Sequence, residues 1–450
     1  MPTDRAVLAL LAANLAVLGA AGAIWLSSRP AATVFIALLS PCCSSVLKGN
    51  TPEADLVEGG LGGYLRVGLL CVAGMAGLAA WARSRTVRRD SRLPWQFLLL
   101  GAFLVAALAS ATWSVDPFYT LIKAGSFVML AFFLLGVLAW SRQPGGLPRI
   151  LNAVFIFFSV WALANLATVF LWPARAWWWN APDRFQGLTD HPNSLGGCCM
   201  VAYTIFLWQF LRQHGLARLA VGGLLAVAVA MLVMSGSRTS IVGAAAGVLV
   251  FLLAVGKRRW ALAFTVAALL GLAVLAARPP DSFQRQFGDE SAVGLTGRPD
   301  IWNASWRLFA LRPMTGYGFE TQNKLLQDPE YQKVAGVSWT VIANQSTHNG
   351  YLSVLLGAGL PAFLVWLAIL LLPYVRVWGL AAGPSRAVVL AMMTMSLLTN
   401  FVESLITGGS SMPAPVFWIA WALGARLCEL AAAHRPEPAA EPEQEAAYAA

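Results

Sequence analysis

Ser346–Arg376 reads STHNGYLSVLLGAGLPAFLVWLAILLLPYVR: four polar residues, then an apolar run with no charge until its last position. About 20 apolar residues in a helix span the hydrocarbon of a bilayer, so Gly350–Val375 predicts a membrane helix. Moving outward from it, similar runs recur on both sides. They fall at Ala6–Leu26, Ala31–Leu47, Tyr64–Ala82, Pro94–Trp113, Phe118–Trp140, Ile150–Trp172 and Ser194–Leu211. Leu216–Met234, Thr239–Val255, Trp260–Ala277, Ala387–Thr407 and Pro413–Ala433 complete the set. The chain has 450 residues, 58% hydrophobic and only 12% charged, where a soluble domain carries about a quarter charged residues. An all-α integral membrane protein with about twelve transmembrane helices, twelve or thirteen, is the expectation. Ala31–Leu47, short and interrupted by Ser40-Pro41-Cys42-Cys43-Ser44-Ser45, is expected to be only partly inserted. Ala6–Leu26 reads as a retained helix rather than a cleaved signal peptide.

One polar stretch, residues 278–349, interrupts this pattern. It divides the chain into a helix bundle (1–277), a loop or lid with short helices (278–349), further membrane helices (350–433) and a disordered tail (434–450). Short loops rich in Lys and Arg stay in the cytoplasm. Arg83 to Arg92, Arg142 with Arg149, Arg212 with Arg218, Lys257-Arg258-Arg259, and Arg376 with Arg386 mark such loops, each two apolar runs from the next. By that alternation 278–349 faces outward, as do Pro173–Asn193, Ser235–Ser240 and the Trp113–Pro117 turn. The outer loop carries seven Lys or Arg against seven Asp or Glu, so the net charge of +10 serves topology. Nucleic acid binding is not expected. The six cysteines, Cys42, Cys43, Cys71, Cys198, Cys199 and Cys428, lack metal spacing and read as apolar packing residues.

Three outward side chains have no topological reason to be charged. Arg238 lies in Met234-Ser235-Gly236-Ser237-Arg238-Thr239-Ser240, a tight connection between two apolar runs. A guanidinium fork matches phosphate oxygens bidentately, and Ser and Gly at a helix start leave N–H groups for an anion. The competing reading is an arginine snorkelling to lipid headgroups. Arg298 precedes Pro299 and Asp300, which predict a helix start. Trp302, Trp306 and Phe309 then repeat at helical spacing, a pattern for a helix lying flat on the membrane interface. Arg298 stands at its entrance, or is a solvated surface arginine. His348 sits where the loop re-enters the bilayer. Histidine is readily poised near neutral pH to take a proton from a hydroxyl, although a capping role would also place it there.

The segment Arg184–Gly196 adds Arg184 and His191 as candidates for glycan or phosphate contacts, with Asn193 expected to cap the next helix. Lys123 and Glu403 are ionisable groups inside apolar runs, costly unless they face a cavity or a partner. No His or acidic pair stands at metal-ligand spacing in an outer segment. There is also no nucleotide loop, G-x-S-x-G elbow or C-x-x-C.

Taken in order, several motifs resemble the O-antigen ligase and polysaccharide polymerase family. They are Trp113-Ser114…Asp116-Pro117, His191-Pro192-Asn193-Ser194-Leu195-Gly196, Ser237-Arg238-Thr239, Gly297-Arg298 with Trp302, Pro313…Gly316-Tyr317-Gly318, and His348-Asn349-Gly350-Tyr351-Leu352. The resemblance runs from about Trp113 to Leu360; no single motif is specific, but the ordered set is. It implies a C-type glycosyltransferase of the bacterial inner membrane, working on the periplasmic face without a metal or other cofactor. The donor would be a glycan on undecaprenyl diphosphate, and the acceptor a lipid-linked repeat or lipid A–core. By the same resemblance Arg238 and Arg298 hold the donor diphosphate, and His348 is the general base of an inverting transfer. Arg184, His191, Asn193, Lys123, Trp302 and Asn349 are the substrate-binding candidates. The Arg184–Gly196 segment and Gly316-Tyr317-Gly318 point to polymerisation of O-antigen or exopolysaccharide repeats, with ligation to lipid A–core as the alternative. A transporter would also have many helices, but the chain shows no internal repeat and no matched pair of Gly/Pro-broken helices. A non-enzymatic scaffold leaves the shared face of Arg238, Arg298 and His348 unexplained.

Overall fold

A computed structural model describes residues 21–47, 60–84, 93–179, 181–277, 298–336, 347–406 and 413–433. Most of the first apolar run, the arginines at 85–92, both flanks of the polar loop (278–297 and 337–346) and the tail from 434 lie outside the described residues.

Each apolar run from Ala31 onward forms a helix. They are α1 (Pro30–Leu47), α2 (Gly60–Arg83), α3 (Trp95–Ala109), α4 (Pro117–Ser141), α5 (Gly146–Leu171), α6 (Pro192–Phe210), α7 (Gly215–Met234), α8 (Arg238–Ala254) and α9 (Arg258–Ala277). The polar loop contributes α10 (Arg298–Leu311), α11 (Gln322–Gln327) and α12 (Pro329–Ala335). The chain then forms α13 (Gly350–Trp378), α14 (Pro384–Thr399) and α15 (Pro413–Ala433). Among the described residues, seven helices are long and apolar enough to cross a membrane, and α1, α8 and α14 include shorter apolar stretches. The protein is an all-α integral membrane protein. Small residues let the helices approach closely, as they do in lipid: a Cβ at Gly74 or Gly77 of α2 would strike the backbone of Met129 or Phe132 on α4.

Three details differ from expectation. The Ser40–Ser45 stretch does not end a helix, since α1 continues through Pro41. Between α5 and α6 the chain forms a small antiparallel hairpin, β1 (Trp177–Trp178) with β2 (Ala181–Phe185), which no alternating pattern announced. On α10 the expected aromatic face is partly buried, with the Trp306 and Phe309 rings packed at 5.3 Å. Ile301, Ala304, Ser305, Leu308 and Phe309 are buried, while Trp306 is 59% exposed.

The polar loop is anchored in a break of α13. Gly359 adopts φ +77, and a Cβ there would collide with the Met314 carbonyl. A break orphans backbone groups that lipid cannot satisfy. Here the loop satisfies them: Tyr317 N donates to Leu356 O at 3.1 Å, Gly318 N to Gly357 O at 2.8 Å, and Leu360 N to Pro313 O at 2.8 Å. The same segment reaches the Trp113–Pro117 turn. Val115 N donates to Tyr317 O at 3.0 Å, and the Trp113 indole to Thr315 O at 3.0 Å. A buried cluster of Ile301, Leu308, Tyr317, Leu325, Leu352 and Leu356 ties α10 and α11 to the first half of α13.

The basic helix ends gather at one end of the bundle. Arg142 at the end of α4 pairs with Glu429 of α15. Arg386 at the start of α14 donates to Ala254 O, which closes α8, and to Val377 O and Trp378 O, which close α13. The opposite ends of α8, α13 and α14 bear Arg238, Asn349 and Asn400, so the basic end and the candidate site lie a full helix length apart. Because Gly359 requires a left-handed backbone with no room for a Cβ, Gly359→Ala should lower the unfolding temperature in detergent by several degrees. Gly101→Ala on α3, where nothing lies within 4 Å, should not. Size-exclusion after graded heating measures both.

Candidate functional site

The site is built where the entrances of α6, α8, α10 and α13 meet the segment leaving α14. Asn349 caps α13 by accepting from Leu352 N at 3.0 Å, and Gly350 N donates to Asn400 O at 2.8 Å. Asn400 Oδ1 in turn accepts from Leu405 N at 3.1 Å and Ile406 N at 3.2 Å. That folds residues 400–406 into a tight turn with Glu403 on it. His348, one residue before the α13 cap, is at φ +44, a backbone uncommon for a non-glycine residue. Thr347 and Ser353 share a hydrogen bond, and the Trp302 indole donates to Thr347 O at 2.9 Å.

Glu403 is the hub. Its Oε1 accepts from Arg298 at 2.7 Å and from Asn193 Nδ2 at 3.1 Å, while Oε2 lies 3.3 Å from His348 Nδ1. Burial by itself would raise the pKa of this carboxyl. The hydrogen bond to His348, the charge of Arg298, and the charges of His348 and His191 outweigh that, and the net shift is downward.

Asn193 does not cap α6. His191 does, accepting from Asn193 N through Nδ1 at 3.0 Å. The Asn193 side chain is thereby available to link Glu403 to Arg184, whose Nη2 donates to Asn193 Oδ1 at 2.8 Å. Arg184 is carried on β2, so the hairpin has a function in the geometry. Its Nε donates to Ser235 O at 2.9 Å, and its guanidinium lies 5.5 Å from the Trp178 ring centroid. Trp178 contacts the His191 ring edge-on at 4.7 Å. Burial lowers the Arg184 pKa, Asp183 opposes that, Arg238 adds to the lowering, and Glu403 opposes it. Arg238, half-buried at the first position of α8, is thus within electrostatic reach of Arg184. The small residues around it are needed for packing, since a Cβ at Gly196 of α6 would press on Ser235, Ser237 and Ser240.

A cavity of about 540 Å³ opens beside this cluster. Its polar end is formed by Asp190, His191, Asn193, Thr239, His348 and Glu403, and its other wall by Phe35 and Leu39 of α1 with Phe157, Val160 and Trp161 of α5. Of the residues singled out in the sequence, Arg184, His191, Asn193, Arg298 and His348 join one network, with Arg238 coupled to it. Trp302 and Asn349 lie next to it and line a shallower groove. Lys123 does not reach the cluster. It lines a small depression with Arg66 and Ser40 on another side of α1, with its ammonium 4.9 Å from the Tyr119 ring centroid. Glu403 and Asp190 had no site role in the sequence reading. The signal for Glu403 was its position as an acid at the end of an apolar run; Asp190 gave none. No disulfide joins the cysteines among the described residues, and Cys42 and Cys198 line the cavity.

These features define a multi-helix membrane protein with a charged cavity at one end of its bundle. Residues 223–367, which include Arg238, Arg298 and His348, match the O-antigen ligase family model. Over 343 residues, 73% of this chain and 76% of the relative, it is 26% identical to an O-antigen ligase of Pseudomonas aeruginosa.

The lowered pKa of Glu403 sets a sign. A carboxyl ionising more easily in the folded state adds stability above its unfolded pKa and loses it as pH falls through the folded value. Wild type should therefore melt higher than Glu403→Gln at neutral pH. The gap should close as pH drops below about 4.5, the ordinary value for Glu. Thermal melts of both proteins across that range measure it.

Proposed function

We propose that this protein is a membrane-embedded glycosyltransferase that moves a glycan from undecaprenyl diphosphate to a sugar hydroxyl at the periplasmic face of the inner membrane. The observation that supports it most directly is that His348 and Glu403 line the polar end of a cavity whose other wall is apolar, with Arg298 bonded to Glu403 from behind that lining. A lipid diphosphate needs both: cationic groups for its phosphates and an apolar surface for its chain. The collection of basic helix ends at the opposite end of the bundle supports the periplasmic side.

In this reading Arg238 and Arg298 neutralise the diphosphate as it leaves, an electrostatic stabilisation of developing charge. His348 takes the acceptor proton. With Nδ1–H donated to Glu403, its Nε2 carries the lone pair that faces the hydroxyl. The acceptor oxygen forms its bond to the anomeric carbon from the side opposite the leaving group. The carbon–oxygen bond to the diphosphate breaks, and its electron pair departs with the phosphate oxygen. The proton ends on His348 Nε2, and Glu403 steadies the resulting imidazolium. Inversion at the anomeric carbon follows from this displacement. The reaction needs no metal.

The geometry serves either acceptor. Similarity to a protein named O-antigen ligase is compatible with both. Of the two segments that point to a polymerase, Arg184–Gly196 builds the Arg184–Asn193–Glu403 network and Gly316-Tyr317-Gly318 bonds to the break of α13, roles that serve either acceptor. Offering lipid A–core and a second lipid-linked repeat side by side in vitro decides between them.

His348→Ala should reduce transfer by about 10²- to 10⁴-fold, the usual contribution of a positioned base. Arg238→Ala and Arg298→Ala should each abolish detectable product. All three should still insert and elute as folded protein in size-exclusion chromatography. Wild-type rates from His348→Ala would remove the base role. Transfer should also survive exhaustive treatment with a chelator; loss that a divalent ion restores would contradict the metal-free reaction.

A further inference from the structure

A second cavity, of about 360 Å³, lies on the other side of the Asn349 turn. Two chain segments pass from one cavity to the other within two residues. His348 and Glu403 line the main cavity, while Asn349 and Phe401 line the second. Trp302, Asn303 and Trp306 of α10 line it, with Tyr351, Leu352, Leu355 and Phe363 of α13. Phe401 is 56% and Trp306 59% exposed, large apolar areas to leave beside a polar cluster. Several of these groups are fixed by bonds that point away from the groove. The Trp302 indole is bonded to Thr347 O and the Tyr351 hydroxyl to Leu397 O, and the Tyr351 and Phe401 rings pack at 4.5 Å. The result is a set of aromatic surfaces with two amide side chains, Asn303 and Asn349, among the lining.

That combination suits a pyranose, which presents one face of C–H groups to an aromatic ring and a rim of hydroxyls to amides. It suits a hydrocarbon chain less well, because a chain would strip water from both amides and return no hydrogen bond. We propose that this groove is the acceptor-saccharide subsite. It stacks an acceptor sugar on Trp306 and Phe401 so that one of its hydroxyls reaches His348 from the side opposite the donor cavity. The inference rests on the transferase reading above and adds to it the location of the acceptor sugar.

Trp306→Ala and Phe401→Ala truncate exposed side chains outside the charged network. Each should raise the KM for acceptor about 3- to 10-fold. The donor KM and kcat should stay within about twofold of wild type, where loss of a merely structural contact would move them together. The assay uses lipid A–core and the core oligosaccharide released from it, then a lipid-linked repeat and its free oligosaccharide. An equal rise in KM for the lipid-bearing and lipid-free forms is expected. A rise confined to the lipid-bearing forms would show a hydrocarbon groove instead and overturn the proposal, as would a fall in kcat at unchanged acceptor KM. Equilibrium binding of the fluorescently labelled oligosaccharides separates this from the transferase reading. Saturable binding to wild type that Trp306→Ala weakens supports the subsite even if no transfer is seen, whereas absence of saturable binding to wild type refutes it.

Discussion

One carboxylate determines the shape of the site. Glu403 bonds to Arg298, Asn193 and His348, which come from three chain segments far apart in sequence. At the edge of a bilayer an acid is costly to bury unless its charge is met and its oxygens are occupied. Here the cost of burial is offset by one guanidinium, one amide and one imidazole. The same bonds fix where α6, α10 and α13 begin relative to one another. Arg184 extends the network through Asn193 to the hairpin and to Ser235, next to the entrance of α8. Four helix entrances are thus set by one chain of polar contacts.

The broken helix α13 plays the complementary part. Its first half carries the cap beside His348, and the break at Gly359 gives the polar loop a place to bond into the membrane-embedded body. Gly316-Tyr317-Gly318 lies against the exposed carbonyls of Leu356 and Gly357, and Tyr317 O accepts from Val115 N. Motifs that are far apart in the sequence are in this way parts of one joint. The joint holds α10, and with it Arg298 and the two tryptophans of the second groove. What first reads as a separate outer loop is, over its described residues, continuous with the helix that bears the site.

Much of this was legible in the sequence because lipid imposes a length. An apolar run of about 20 residues has few alternatives to a helix, so the runs from Ala31 onward mark the helices to within a few residues, except that α14 stops at Thr399 and leaves Glu403 on a turn. Arg238, Arg298 and His348 stood out because the charge bias gave them no reason to be outward. Other features were hidden because they depend on long-range pairing. The Trp177–Phe185 hairpin is too short to show a strand period. Asn193 carries the usual signature of a helix cap, yet the preceding histidine takes that position and leaves the amide for Glu403. The aromatic stripe of α10 suggested one lipid-facing surface, but Phe309 is buried beneath the exposed Trp306, whose ring packs on it at 5.3 Å. Lys123 stood out for the same reason as Glu403, a charge in an apolar run, and only the fold separates their surroundings.

The most direct test of a single working unit is a double-mutant cycle between Glu403→Gln and His348→Gln, read as kcat for transfer to a saturating acceptor. If Glu403 acts by holding His348 and Arg298 in place for one proton transfer and one departing diphosphate, the losses should be strongly non-additive. The double variant would then be little slower than His348→Gln alone. Losses that multiply, with the double variant slower by the product of the two single effects, would show that Glu403 and His348 act independently.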